Sequence, residues 1–456
     1  MPPSSSSAAI AGADMTATTG GQRPRHGLSF REFVAIAAAL MALNALATDI
    51  MLPALGDIAR DLMVSDPNER QKVVIVYLLG FGCAQLVCGT LSDLYGRRTV
   101  LLTGLVLYTA AAVLSTFAQT MDQLLLSRLL QGIGCAAPRI VAVAMVRDSY
   151  SGARMGKVMS LVMMVFMTVP VLAPSVGQAI LLFGEWRSIF LVLAICGFIL
   201  FAWSGARLGE TLPAEERSPF SVREMTGAFA TVLRTRASVG YMLALTFIIG
   251  ALFAFIASAQ QVFVETFGLG SLFPVMFAMT GIALAISSFF SASVVERIGL
   301  RPLSHVALVF YVLVSLTQVV VAATWGTSLV AFAGLLILGI FAFGMIGPNF
   351  NAIAMEPLGR VAGTGAAIIG FVTTSGGALL GYLVSSHYDG TVLPLTAGFA
   401  LFSISALVIV AVTERGAVCS ALARRGAAGA PAAPPPGTRR PAGSSRAPSR
   451  CATTGW

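Results

Sequence analysis

Only 11% of the 456 residues carry charge, so chemistry is expected where acids and arginines enter apolar surroundings. Asp49, in "TDIMLPAL", is the acid set deepest within an apolar run. A carboxylate at such depth in a membrane costs about 3 kcal/mol unless it faces a cavity, pairs with a cation or takes up a proton. Pro53 follows four residues later and lacks the N–H that would bond the Asp49 carbonyl, leaving an unpaired acceptor in the same turn as Thr48. This polar wall suits a carboxylate that exchanges a proton for a cationic or polar solute. The alternative is a structural acid paired to an arginine such as Arg128.

Arg128 and Gln131, one turn apart in "RLLQGIG", offer a fixed positive charge and an amide. Arginine stays protonated, so it cannot carry the proton, but it can tune a nearby carboxylate. The competing role is a packing clamp on backbone carbonyls. Arg139, further along the same run, is expected to snorkel toward the boundary. A third cluster lies in "GTLSDLYGRRTVLL", Gly89–Leu102. There Gly96 permits a tight reversal, Gly89 lets a neighbouring helix approach, and Arg97 with Arg98 holds the turn on one side of a membrane. Asp93 needs a partner at the boundary, either a helix N-terminus or an arginine from elsewhere in the chain. Such a contact would act as a latch, formed only when that side is shut; a plain basic turn would explain the arginines but not the acid.

Other chemistries find no support. The cysteines Cys83, Cys88, Cys135, Cys196, Cys419 and Cys451 show no CxxC spacing, and His26, His305 and His387 are scattered, so neither metal nor cofactor is expected. No GxxxxGK[ST] loop for an ATP-driven pump occurs. Convergent nucleophile or acid–base groups of an enzyme, and the filter repeats of a channel, are also missing.

The elements that must position these groups follow from composition. Of all residues, 56% are hydrophobic, and apolar runs fall at about 33–54, 73–92, 99–118, 123–145, 157–182, 187–206, 238–260, 271–295, 303–323, 328–349, 362–385 and 392–412. Each is near the ~20 residues that span a bilayer as a helix, and none alternates as a barrel strand would. The expectation is an all-α integral membrane protein with twelve transmembrane helices. With both termini cytoplasmic, the outward segments keep only Arg60, Arg70, Lys72 and Arg187, and nearly all other basic residues fall inward. The net charge of +9 is then a topology signal and implies no nucleic-acid partner. Residues 1–30 and the Pro/Ala-rich stretch 414–456 read as disordered cytoplasmic tails.

The longest interior hydrophilic stretch, 207–236, divides the spans into bundles at 31–206 and 237–413. Sliding "GTLSDLYGRR" forward by 203 positions lands on "ASVVERIGLR", so that Asp93 meets Glu296, Gly96 meets Gly299 and Arg98 meets Arg301. Two similar six-helix halves are the architecture of the major facilitator fold.

Gly89–Leu102 resembles the G-x-L-x-D-x-x-G-R-[KR] motif of the major facilitator superfamily, with every fixed position filled. "RLLQGIG" is similar to that superfamily's helix 4 motif. "PVLAPSVG", with Pro170, Pro174 and Gly177, is similar to the helix 5 motif of its proton-coupled antiporters, departing from it at Ala173 and Gln178. "TDIMLPAL", "WRSIF", "ETLPAEERSPF" and "PNFNAIAM" together resemble the bicyclomycin/chloramphenicol-resistance subfamily of drug:proton antiporters. The resemblance covers residues 30–412 and implies a monomeric, inner-membrane, proton-coupled exporter of amphiphilic drugs; the alternative is a proton-coupled metabolite importer of the same fold. Pro170 and Pro174 remove successive backbone bonds and favour a kinked helix. Candidate solute contacts are Met163 and Met167, which suit a pliable pocket or plain packing, with Phe253, Phe255, Gln260, Gln261, Asn349 and Asn351.

Overall fold

The protein is described from a computed structural model, covering residues 27–217, 222–324, 326 and 328–415. The disordered tails expected from sequence fall almost wholly outside these residues, as do Cys419, Cys451 and His26. The helices are α1 (Phe30–Asp49), α2 (Leu55–Asp61), α3 (Lys72–Tyr95), α4 (Arg97–Thr116), α5 (Met121–Ser149), α6 (Gly152–Leu181), α7 (Trp186–Arg207), α8 (Val222–Arg234), α9 (Arg236–Gln260), α10 (Phe273–Ile298), α11 (Leu300–Thr324), α12 (Leu329–Met355), α13 (Ala362–Ser385) and α14 (Leu393–Thr413). Twelve segments are long and apolar enough to cross a membrane, the first joining α1 to α2 and the seventh extending α9 to Thr266. α1–α7 form one bundle and α9–α14 the other; they meet where α3 lies along α13 and α6 along α10.

Local sequence sets the helix ends. Ser29 caps α1 by accepting a hydrogen bond from the Glu32 amide, and Thr120 caps α5 through the Gln123 amide. The first apolar run, expected as one helix over 33–54, is broken: α1 stops at Asp49, and a short 3-10 turn spans Leu52–Ala54 before α2 begins. Pro53 accounts for the break, since it can neither donate to the preceding turn nor fit its ring there. The seventh span is also irregular near the same end of the molecule, ending in a π-helical turn over Gln261–Thr266.

The two halves repeat in backbone detail. Gly96 has φ 94° and ψ 152°, and Gly299, 203 positions on, has φ 94° and ψ 157°. A left-handed φ at both reversals is why glycine stands at each. The hydrophilic stretch 207–236 holds a helix that the sequence reading did not anticipate. In α8, Ala228 and Val232 are buried while Leu233 is exposed, an i, i+4 apolar stripe laid against the second bundle.

Candidate functional site

The Gly96 and Gly299 turns mark one end of the molecule, the arginine-rich end; Asp49, the α1 break and the start of α3 lie toward the far end. Glycines let α3 and α5 touch. A Cβ on Gly132 would strike the Tyr77 carbonyl, and one on Gly80 the Leu129 carbonyl. This contact places the Tyr77 ring against Arg128, 4.3 Å from the guanidinium carbon to the ring centroid.

Arg128 is fully buried and saturated by neutral acceptors. Its Nε donates to the Val73 carbonyl at 3.1 Å, Nη2 to the Ala47 carbonyl at 3.0 Å and Nη1 to Gln131 Oε1 at 2.6 Å. The Ala47 carbonyl is free because α1 ends two residues later, leaving its last carbonyls without amide partners. Arg128 thus caps the broken helix and joins α1, α3 and α5, the clamp role rather than the partner of Asp49. Tyr77 supports the same joint, its hydroxyl donating to Asn44 Oδ1 at 2.9 Å, and Thr48 donates to the Asn44 carbonyl.

Asp49 is 4% exposed, and its buried Oδ1 has no hydrogen-bond partner. The alternative reading, a pair with Arg128, is not formed among the described residues, because backbone carbonyls and Gln131 have taken the guanidinium. Immediately after Asp49, the Ile50 carbonyl lies against Gly177 of α6, where a Cβ would collide with it and where the Pro53 ring is also in contact. Pro170, Pro174 and Gly177 stay helical inside α6, so the antiporter-like segment packs directly on the break.

The halves are tied at the far end. Arg70 Nη2 is 2.5 Å from Glu265 Oε1, among the described residues the one ion pair joining the halves. Gln71 donates to Gln261, and Gln261 Nε2 donates to Asn68 Oδ1 at 2.9 Å. Asn68 Nδ2 donates to the carbonyls of Ser386 and Tyr388 at 3.1 and 2.9 Å. Gln260 Nε2 lies beside Gly56. Sequence reasoning missed Asn68, Arg70, Gln71 and Glu265; a basic residue in an outward segment otherwise poor in them was the available signal.

Toward the arginine-rich end the halves part. On α3, Gly82 meets Ser375 and Gln85 bonds Thr374 of α13, yet Gly89 has nothing within 4 Å, and neither has Gly363 on α13. The α6–α10 pair behaves alike: Gly281 meets Val171, whereas Gly156 is open. Cross-half contacts therefore hold at the far end, whereas Gly89, Gly156 and Gly363 toward the arginine-rich end face open space.

Asp93 is correspondingly unlatched. It bonds Arg97 one turn away, with 49% of its side chain exposed, and Arg97 also pairs with Asp148 at 3.0 Å. Arg98 Nη2 donates to the Gly205 carbonyl at 2.6 Å. Glu210, quoted above only within a resemblance, caps α4 by accepting from the Arg97 and Arg98 amides at 2.9 and 3.2 Å. Asp148 went unnoticed in the sequence, although an acid at the end of a membrane helix is the same signal as Asp93. In the second half, Arg301 pairs with Glu356 and Glu414 at 3.4 and 3.3 Å, and the Tyr241 hydroxyl bonds Glu414 and His305, each at 2.8 Å. Glu296 is exposed; Leu300 stands where the repeat would place the equivalent of Arg97.

The candidate solute contacts scatter. Met163 and Met167 are half-buried on α6. Phe255 stacks on Phe277 in the core of the second bundle, Phe253 packs on Gly381, and Asn349 bonds Ser291 and the Met345 carbonyl. Asn351 is exposed, and Gln260 and Gln261 belong to the far-end seal. The guanidinium carbon of Arg139 lies 5.5 Å from the ring centroid of Phe81 and 5.6 Å from that of Phe166.

Residues 37–381 match the family described as the Major Facilitator Superfamily. The chain is 30% identical over 365 residues to an uncharacterized MFS-type transporter, YdgK, of Bacillus subtilis, covering 78% of this chain and 89% of that one. It is 29% identical over 386 residues to a bicyclomycin resistance protein homolog of Haemophilus influenzae, covering 83% and 94%. Among solved structures, a D-xylose-proton symporter superposes with a TM-score of 0.65 at 14% identity, covering 83% of this chain and 97% of that one. That identity speaks for the fold alone. With two repeated six-helix halves and a family match over most of its length, this chain belongs to the Major Facilitator Superfamily.

Proposed function

We propose that the protein is a proton-coupled exporter of amphiphilic drugs and antibiotics, a monomer in the bacterial inner membrane that works by alternating access. One observation carries this reading: the halves are tied at the far end but face open space at Gly89, Gly156 and Gly363, which we read as a gap open toward the arginine-rich end, with the unpaired, buried Asp49 carboxylate toward the tied end. The excess of arginine at the open end makes that end cytoplasmic, together with both termini. The gap is then the inward-facing state, ready to load solute from the cytoplasm. Similarity to a bicyclomycin resistance protein homolog favours outward transport.

The residues divide the work. Asn68, Arg70, Gln71, Gln261 and Glu265 hold the periplasmic side shut. Asp93, Arg97 and Arg98 form the cytoplasmic gate, with Asp93 free to find a partner in the second half when that side closes. Asp49 carries the proton. Among the described residues it touches neither a cation nor a donor in this state. Solute loading is coupled to loss of the Asp49 proton to the cytoplasm; the seal then opens, solute leaves, and Asp49 is reprotonated from the periplasm. Gln131, with an unpartnered buried Nε2, and Arg128 fix the backbone on which Asp49 sits.

A susceptibility panel including bicyclomycin and chloramphenicol, in a host stripped of its own exporters, tests the reading. Raised tolerance with the parent chain and its loss with Asp49→Asn are expected. Unchanged tolerance together with proton-driven accumulation of a compound inside the cell would favour the importer.

A further inference from the structure

We infer that Arg139 is an anion-binding subsite in the gap, selecting solutes that carry a carboxylate on an aromatic body. The inference rests on the exporter reading and names the solute class for it. Arg139 lies ten residues from the end of α5, roughly 15 Å along the helix. Its guanidinium carbon is 5.5 Å from the centroid of Phe81 and 5.6 Å from that of Phe166, both near the middle of their helices. Phe81 adjoins Gly82, where α3 meets the second half, and Phe166 lies beside Met163 and Met167 on α6.

The contrast with Arg128 carries the argument. Every arm of Arg128 has a protein acceptor, whereas Arg139, half-buried, has neither an ion pair nor a hydrogen bond among the described residues. Aromatic faces attract the cation but accept none of its in-plane N–H bonds, leaving an edge free for a carboxylate. In the second half, α9, α12 and α13 contain no Asp or Glu, and α10 has only Glu296 in its last turn. Asp49 lies at the far end, and Arg128 is already eleven residues, roughly 16 Å, from Arg139 along α5. A fixed charge in the membrane interior is expensive and needs a partner; here the partner comes with the solute. Phe166, Met163 and Met167, each partly exposed, give its aromatic body an apolar, polarisable bed.

The test is calorimetric binding of 2-naphthoate and its neutral analogue 2-naphthylmethanol to the full chain in lipid nanodiscs, with no gradient imposed. The parent is expected to bind naphthoate about tenfold or more tightly than the alcohol. Arg139→Gln should remove that preference while leaving alcohol binding within about twofold, and Arg139→Lys should keep part of it. Equal binding of the two probes by the parent, no binding of either, or a preference that survives in Arg139→Gln overturns the proposal. The parent comparison stands alone if Arg139→Gln fails to fold. Because no proton or transport is needed, failure here leaves the exporter reading intact, and failure of proton coupling leaves the subsite intact.

Discussion

The far-end seal gives the sharpest energetic prediction. Glu265→Gln removes one charge from the Arg70 pair without opening a void. Truncating one partner of a fully buried pair costs about 3–5 kcal/mol, and of an exposed pair about 0.2–1 kcal/mol. Arg70 is 6% exposed and Glu265 39%, so the pair falls between these limits. The contact is also poorly aligned, since neither Nε nor Nη2 of Arg70 makes a hydrogen bond. About 1–2 kcal/mol is therefore the expected loss from the state closed at the far end. The population open at that end should rise roughly 5- to 30-fold relative to the closed one. Spin labels at Met63 and Leu272, both exposed near the far end, in a background without native cysteines, report the two populations as distances. A change of less than about twofold, with an unchanged melting temperature, would show that the pair does not hold the seal and refute the reasoning.

Other substitutions probe the helix contacts. Gly177→Ala places a methyl on the Ile50 backbone carbonyl, which has no flexible end to move aside, so transport should be abolished in a vesicle assay and the melting temperature lowered. Gly89→Leu meets open space in the present state and should leave stability unchanged, but block closure of the arginine-rich end; cysteine accessibility in the gap should then stay high when solute is added. Arg128→Lys cannot reach the Val73 carbonyl, the Ala47 carbonyl and Gln131 together. Losing one or two charge-assisted bonds, at about 1.5–3 kcal/mol each, should lower the melting temperature by several degrees.

The spans were legible because continuous apolar runs admit few alternatives in a membrane, and the repeat because Gly96 and Gly299 meet the same left-handed requirement. Asp49 and Arg128 stood out as buried charges, but their relation did not. A pair was the alternative reading of opposite signs on neighbouring helices, but the end of α1 leaves a carbonyl at Ala47 that takes the guanidinium instead. Long-range polar contacts were the least legible. Arg70 and Glu265 lie 195 positions apart on surfaces where charge is ordinary, and only the approach of the two halves makes them partners. Helix α8 was hidden because Arg223, Glu224 and Arg234, near its two ends, gave the linker the composition of a loop.

Proton coupling through Asp49 is the central claim, and proton release on solute binding tests it most directly. Purified protein in weakly buffered solution receives the compound against which the susceptibility panel shows the strongest protection, while a pH indicator follows protons. The parent should release protons on binding; Asp49→Asn should bind the compound yet release none, and in liposomes should fail to concentrate it against a gradient. If the Asn variant still releases protons and still concentrates the compound, the coupling group lies elsewhere and the account given for Asp49 is wrong.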